Sequence, residues 1–414
     1  MKKNKFDVAM TGGRRNYAVP RILYESGKLS TFHTDFYVAE KLRDIGDRIP
    51  DIIKPQIFKR LLSRTSGSIP SHLVRSYNKF GIEFALRRRN CRTREQVFET
   101  ILWGGEKFGG LVARKTNESG CPFYGFNVAA LEPLLQARKL GKLAVVEQTI
   151  VPMQVEERLL SLEREKFPDW ERPRQTPSIV NRFAERENGE LIVASDVICG
   201  SDFVRKSIED LLGREVSKKV QVVASGVDIA NFEIEGRSFD RKRMNVLTVG
   251  AVGLRKGSPY VMAAAKELAA IADFRIVGAA DLPEEVAKQC PRNLEVYGPV
   301  VRSEIRQQLS WADIFLLPSI CEGSALAIYE AMAAGLPILC TPNCGSVVRH
   351  GIDGFLIPHS DHNQIVDRIY QFHSDADMTR TMSNSARQYV RSYSFLAYKH
   401  RLDRVLEIIG SKEE

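Results

Sequence analysis

Glu322 and Glu330 stand eight positions apart in CEGSALAIYEAMAAGLPILC (321–340), and only small or apolar residues, apart from Ser324 and Tyr329, lie between them. An ionised carboxylate only accepts hydrogen bonds, so one such group can hold two hydroxyl hydrogens at once. Two of them on one loop-and-helix unit suit a ligand rich in hydroxyls. Glu157 and Glu165 share the same spacing but sit in a run of alternating charge with no glycine turn, which predicts a solvated helix face. Context therefore decides. LLPS ends a predicted strand, Gly323 and Ser324 start the next helix with Ser324 as its N-cap, and Gly335 with Pro337 stops it. Glu322 then lies on the loop at a strand's carboxyl end, and Glu330 one to two turns inside the helix, at about 1.5 Å rise per residue. The amides of Ser324, Ala325 and Leu326 surround the helix N-terminus, where a phosphate is stabilised.

A second cluster lies upstream. GAVGLRKGS (250–258) is a glycine-rich turn carrying Arg255 and Lys256 between a strand and a helix. Backbone N–H groups and two full charges there suit a diphosphate. The order Lys-Gly-Ser is not that of a Walker A loop, and the dinucleotide pattern G-x-G-x-x-G is absent.

The elements that must position these residues are legible in the second half. Short β-rich runs recur at 245–250, 273–278, 293–298, 313–318, 336–341 and 354–358, separated by helical segments at 259–271, 282–290, 302–311, 325–334 and 361–374. Continuous apolar strands alternating with helices predict a doubly wound α/β domain with a parallel sheet. Three runs end on Gly250, Gly278 and Gly298, where a missing side chain lets backbone approach a ligand in the crevice beyond the strand ends. The first half opens with FDVAM and the glycine turn TGGRRNYAVP, continues as a mostly helical basic stretch to about residue 105, and then alternates strand and helix again. We expect a first α/β domain with a basic helical insertion at 1–228, a polar linker at 229–244, a second domain at 245–395, and a terminal helix at 396–414.

Composition bounds the function. Of 414 residues, 43% are hydrophobic and 27% charged, as in globular proteins with sizeable cores. The apolar runs are too short to span a bilayer, and the basic N-terminus leads into a strand rather than a signal peptide. The seven cysteines include no CxxC pair, so neither a disulfide framework nor a structural zinc site is predicted; a reducing cytoplasm fits best. Cys340 and Cys344 read as buried strand-end thiols. Net charge is +9, with bases concentrated between Lys54 and Arg94, including Arg87, Arg88, Arg89, Arg92 and Arg94. An anionic membrane surface or an acidic substrate follows more readily than nucleic acid, for which no signature is present. A solvated helix face is the plain alternative.

The segment LPSICEGSALAIYEAMAAGLPILCTPNCGSVVRHGIDGFLIP resembles the donor-binding segment of retaining GT-B glycosyltransferases of the family 4 type, group 1. Further likeness in VGAVGLRKGS, IVGAADL, VYGPVVRSEIRQQLSWADIFLLPS and ASDVICGSDFVRKSIEDL extends it over residues 190 to 400. The resemblance implies that Glu322 holds donor-sugar hydroxyls, Glu330 the ribose, and the amides near Ala325 and Leu326 the phosphate, with Gly323 and Ser324 also in the donor-binding segment. It likewise puts Arg255 and Lys256 on the diphosphate, the Val300 region beside the base, and Gly12 and Gly13 in the N-terminal glycine-rich turn that approaches the diphosphate across the cleft. Two positions depart from the family pattern. Ala251 stands where many members carry Arg, and Glu147 and Gln148 stand where many carry a His facing the acceptor side; His33 and Asp35 are alternatives for that role. The implied activity is transfer of a sugar from a nucleotide-diphosphate sugar to a glycan or lipid-linked acceptor, with retention and without a metal or other cofactor. A cytoplasmic location, peripheral at the inner membrane face, goes with it. A GT-B epimerase or phosphorylase, and a non-catalytic nucleotide-sugar or membrane-surface binding protein, remain open alternatives.

Overall fold

The structure, a computed structural model, describes residues 5–38, 64, 68–171, 176–240 and 242–411, the side chains of 15 and 16 excepted. The part of the basic stretch at 54–63 and 65–67 lies outside the described residues. Seven strands form the first sheet: β1 (Phe6–Met10), β2 (Leu29–Thr34), β3 (Val74–Ser76), β4 (Phe123–Phe126), β5 (Ala144–Gln148), β6 (Asp196–Cys199) and β7 (Val220–Val222). Six form the second: β8 (Met244–Val249), β9 (Ala272–Val277), β10 (Leu294–Gly298), β11 (Ile314–Leu317), β12 (Ile338–Cys340) and β13 (Gly354–Leu356). The orders are 3-2-1-4-5-6-7 and 10-9-8-11-12-13, and every pairing between these strands is parallel.

All six strand runs read in the second half are present, each within a few residues of its expected bounds. The basic stretch expected to be mostly helical differs: it contains β2 and β3 as well as helices Asn78–Asn90 and Arg94–Ser119. β2, LSTFHT, hides its strand character because His33 and Thr34 are polar yet buried. Such burial is tolerated only with partners; Nδ1 of His33 lies 3.1 Å from the Tyr77 hydroxyl.

Each sheet reverses direction once. β1 lies between β2 and β4, and β8 between β9 and β11, so consecutive connections leave to opposite sides and open a crevice beyond the carboxyl ends at that point. The two domains also exchange helices. Helix Phe395–Gly410 sends Tyr398, Leu402, Leu406 and Ile409 into the first domain's core, on one face at helical spacing. Each fully buried large apolar side chain contributes roughly 1.5–3 kcal/mol. Helix Met153–Lys166 does the reverse: Leu160 joins Met244, Val246 and Phe274 in the second core, and the buried Glu163 accepts from Tyr260 at 2.5 Å and Ser360 at 2.6 Å.

The polar segment after Asp228 is not slack. Its Phe232 and Phe239 are buried, and Arg237 donates to the carbonyls of Leu309, Ala312 and Ala334 at 2.6–2.7 Å. Those carbonyls lie at or near the C-terminal ends of two helices, where carbonyls lack intrahelical partners. Where the chain crosses between domains, Val227 and Ser394 pair in parallel: Val227 N–H donates to Tyr393 O at 2.9 Å, and Phe395 N–H to Val227 O at 3.0 Å.

Candidate active site

The two reversal points face each other. A cavity of about 330 Å³ is lined from the first domain by Met10, Arg14, Phe126, Glu147 and Thr149, and from the second by Lys256, Glu322 and Ser324 through Ala327. A larger one of about 650 Å³ is lined by Gly13, Arg21, Asp228, Arg302, Glu330 and Phe395, among others. Ala18 and Leu326 border both, so the two are neighbouring chambers of one cleft.

The second domain's wall follows from two loops. After β11 the chain carries Glu322, whose Oε1 accepts from Arg255 Nη1 at 2.6 Å and lies 2.7 Å from Lys256 Nζ. Arg255 and Lys256 thus share one carboxylate oxygen. Burial works against the charge on Arg255, but Glu322 and then Glu156 outweigh it and hold its pKa above the ordinary value. Glu330, in helix Leu326–Ala333, pairs with Arg302 at 2.9 Å. Burial pushes its carboxyl up, and Arg302 pulls it back.

Several expected details change. Ser324 is not the N-cap: Ala325 occupies that position, and the Ser324 hydroxyl instead lies 3.0 Å from the Tyr329 hydroxyl. The Ala325 amide donates to Cys344 O at 3.1 Å, so it is already occupied. Leu326 and Ala327, in the first helical turn, have no intrahelical acceptor and line the smaller chamber. Gly323 packs on the first domain: a Cβ there would collide with the Thr149 carbonyl, and its own carbonyl accepts from Ser201 at 2.5 Å.

The strand-end glycines serve packing more than open access. A Cβ on Gly278 would strike the Gly250 carbonyl, and one on Gly250 would meet the Lys256 side chain, so the two turns nest together beneath Lys256. Gly298 adopts φ +86, which only the turn requires, and lines neither chamber. Val300 is half-buried against the second core and likewise lines neither. Gly12 sits at φ +77 with its N–H donated to Asp35 at 2.9 Å; Gly13 lines the larger chamber.

On the first domain's wall, Glu147 faces the smaller chamber and accepts from the Tyr124 hydroxyl at 2.6 Å. Gln148 does not line it. As neighbours on a strand the two side chains take opposite faces, and Gln148 Nε2 donates inward to Ile150 O and Glu187 at 3.0 and 3.1 Å. His33 is buried away from the cleft, and its pKa is lowered to about 3 by burial, then by Arg75 and Lys115. Asp35 is a clamp for the Gly12 turn, paired also with Arg64. Glu165 is exposed, as its context suggested, but Glu157 is not simply solvated: it pairs with Arg164, whose side chain is 4% exposed.

Reasoning from sequence missed Arg14, Asn127, Thr149, Glu187 and Arg302. Arg14 Nη1 donates to Thr149 Oγ1 at 3.1 Å and reaches Asn127 Oδ1 at 3.5 Å, with its guanidinium 5.8 Å from the Phe126 ring centre. Asn127 is held by the buried Glu187, which also accepts from Gln148 and the Met153 amide. The one available signal was Arg14 directly after the Gly12-Gly13 turn; its partners lie just past the ends of β4 and β5 and in helix Pro177–Val193.

Two facing doubly wound domains around such a cleft define the GT-B class of fold. A glycosyltransferase from Rickettsia africae superposes with TM-score 0.63 at 14% identity, covering 99% of both chains. The Anabaena protein HepE, solved with UDP and glucose, gives 0.62 at 15% identity over 98% of this chain and 99% of its own. Residues 243–375 match the model of the glycosyl transferases group 1. The amylovoran biosynthesis glycosyltransferase AmsK of Erwinia amylovora is 27% identical over 161 residues, 35% of this chain and 40% of its own. An Escherichia coli UDP-Gal:alpha-D-GlcNAc-diphosphoundecaprenol alpha-1,3-galactosyltransferase is 26% identical over 210 residues, 46% of this chain and 54% of its own. The chain thus spans about half the length of the curated relatives it matches. Among the described residues, no helix is long and apolar enough to cross a membrane.

Proposed function

We propose that this protein transfers a sugar from a nucleotide-diphosphate sugar to an acceptor hydroxyl, with retention of configuration. The observation that carries the reading is Glu322 held by Arg255 and Lys256 at one reversal point, directly opposite Arg14 and Glu147 at the other. The chambers are of the size that small-molecule ligands occupy, roughly 300–1,000 Å³. Departure of the nucleoside diphosphate develops negative charge, and fixed cations in a closed cleft stabilise it without reorganising. Arg255 and Lys256 supply that charge, together with the first-turn amides of Leu326 and Ala327. Glu322 takes the sugar hydroxyls and Glu330 the ribose. Lys256 must then be shared between Glu322 and the ligand, so donor binding loosens the Glu322–Lys256 ion pair. With this charge coming from side chains, we propose that no divalent metal is needed, and turnover is expected to survive EDTA. Proton NMR of the first-formed product reads the anomeric configuration.

The acceptor, we infer, is a glycan or a lipid-linked saccharide used in polysaccharide synthesis, on the cytoplasmic side of the membrane. The named acceptor of the E. coli relative and the exposed cations on helix Asn78–Asn90, with Ile82 and Leu86 exposed beside them, support this. Sedimentation with liposomes of zwitterionic or anionic lipid tests the membrane part; equal binding to both removes it. Thermal-shift screening against UDP, GDP, ADP and their sugars tests the donor: one base series is expected to raise the melting midpoint. No shift with any of them would count against the reading.

A further inference from the structure

We propose that the Glu147 carboxylate is a covalent nucleophile, taking the sugar from the donor and passing it to the acceptor, so that retention is the sum of two inversions. The inference rests on the transferase reading above, and it concerns a position at which this chain departs from the family pattern. Glu147 is the penultimate residue of β5 and lines the smaller chamber on the first domain's wall, with Lys256 and Glu322 on the second's. Its main chain is fixed: β5 is paired on both sides, and the Glu147 carbonyl accepts from the Asn127 amide at 3.0 Å. Its side chain is fixed from within the sheet. Phe126 is its register partner on β4, so Tyr124, two residues earlier, shares the same face. The fully buried Tyr124 donates its hydroxyl to Glu147 Oε2 at 2.6 Å. Glu147 itself is 3% exposed, and a carboxylate is kept that far from water only where the fold holds it.

The two carboxylates of this chamber are suited to different work. Oε1 of Glu322 is shared by Arg255 and Lys256, which makes it a poor electron-pair donor. Glu147 is oriented through Oε2 by a neutral phenol and stands on the other wall. Displacement at a sugar carbon needs that separation, with the leaving charge held on one side and the nucleophile on the other. In the first step a Glu147 oxygen bonds to the anomeric carbon. The bond from that carbon to the diphosphate oxygen breaks, and its electron pair leaves on the nucleoside diphosphate beside Arg255 and Lys256. In the second step the acceptor oxygen bonds to the same carbon while the ester bond to Glu147 breaks. That electron pair returns to the carboxylate, and the acceptor's proton passes to a phosphate oxygen of the nucleoside diphosphate.

The test incubates wild type, without acceptor, with UDP-glucose, UDP-galactose, GDP-mannose, ADP-glucose and their analogues fluorinated at the sugar's second carbon, which slow both steps. Intact mass and peptide maps are expected to show one sugar esterified on the peptide that carries Glu147, and none in Glu147→Gln. That variant should lower transfer by at least about 1,000-fold, a scale on which loss of a nucleophile is felt, with its melting midpoint near wild type. Glu147→Ala in sodium azide is expected to release a glycosyl azide of the anomeric configuration opposite to the donor's, read by proton NMR. Tyr124→Phe keeps the carboxylate and loses its orienting hydroxyl, so ester formation should slow about tenfold, the scale of a hydrogen bond to a charged group. If the Gln variant does not fold, Glu147→Asp, which draws the oxygens back by one carbon, replaces it. Retaining transfer with no ester in wild type and no azide product overturns the inference; a slow Glu147→Gln then assigns the carboxylate to the acceptor's proton instead. An inverted product overturns it as well. In either case, transfer that is lost in Lys256→Ala leaves the transferase reading standing. If wild type consumes none of the nucleotide sugars even with a membrane extract of acceptors, that reading falls and the inference falls with it.

Discussion

The two walls of the cleft are built differently. On the second domain's side, Glu322, Arg255, Lys256 and Glu330 sit on two short loops and one helix turn, and they pair with one another or with Arg302 close by. On the first domain's side, Arg14 depends on Asn127 and Thr149, which depend on Glu187, and the four come from segments up to 173 positions apart by their numbering. One wall is a local device and the other a long-range assembly. Damage to the first should therefore remove chemistry and spare the fold, whereas damage to the second should cost stability as well.

The largest effect is expected at the local wall. Glu322→Ala and Lys256→Ala should each lower transfer by at least about 100-fold, as loss of a preorganised charge does, with melting midpoints near wild type. Equal losses of stability and turnover would erase the contrast between the walls. Gly323→Ala probes the contact between them. Its Cβ collides with the Thr149 carbonyl, so the domains must separate, and a displacement on the order of 1 Å can cost about 100-fold in rate. Small-angle scattering should show a larger radius of gyration with each domain still folded; an unchanged radius and rate would remove Gly323 from the junction.

The long-range wall is expected to answer in stability. Glu187→Ala strands donors on Asn127, Gln148 and Met153, at about 1–3 kcal/mol for each one left buried and unpaired. Urea denaturation followed by far-UV circular dichroism reads it, and a wild-type midpoint would contradict the network. The smallest effect comes from pH. Native His33 stays neutral down to about 3, whereas the unfolded chain protonates near 6.5. Its contribution is thus complete above about pH 6.5 and is lost as pH falls toward 3, by about 2 kcal/mol at pH 5. His33→Gln should flatten that slope between pH 7 and 5; an unaltered slope would place its origin elsewhere.

This contrast also sets what was legible in the sequence. The second sheet was readable because its strands are short, apolar and closed by glycine, and Glu322 and Glu330 because the chain around them encodes their placement. Burial of a polar strand such as β2 is not written in its own residues, since His33 becomes acceptable only beside Tyr77. Arg14 was visible as a basic residue after a glycine turn, but the residues that aim it meet only once the sheet has formed. Gly250 and Gly278 suggest ligand approach by their place at strand ends, while in the fold they meet each other. The capping role given to Ser324 failed because the helix begins one residue later, with Cys344 occupying the Ala325 amide.

The proposed transfer moves a sugar off a nucleoside diphosphate in the cleft between the two reversal points. Incubation of the purified protein with a panel of radiolabelled nucleotide sugars and a membrane extract of saccharide acceptors tests it directly. One donor is expected to label acceptor in wild type, with labelling lost in Glu322→Ala and Lys256→Ala. Labelling that survives in both variants, or release of an isomerised nucleotide sugar from donor alone, would contradict it.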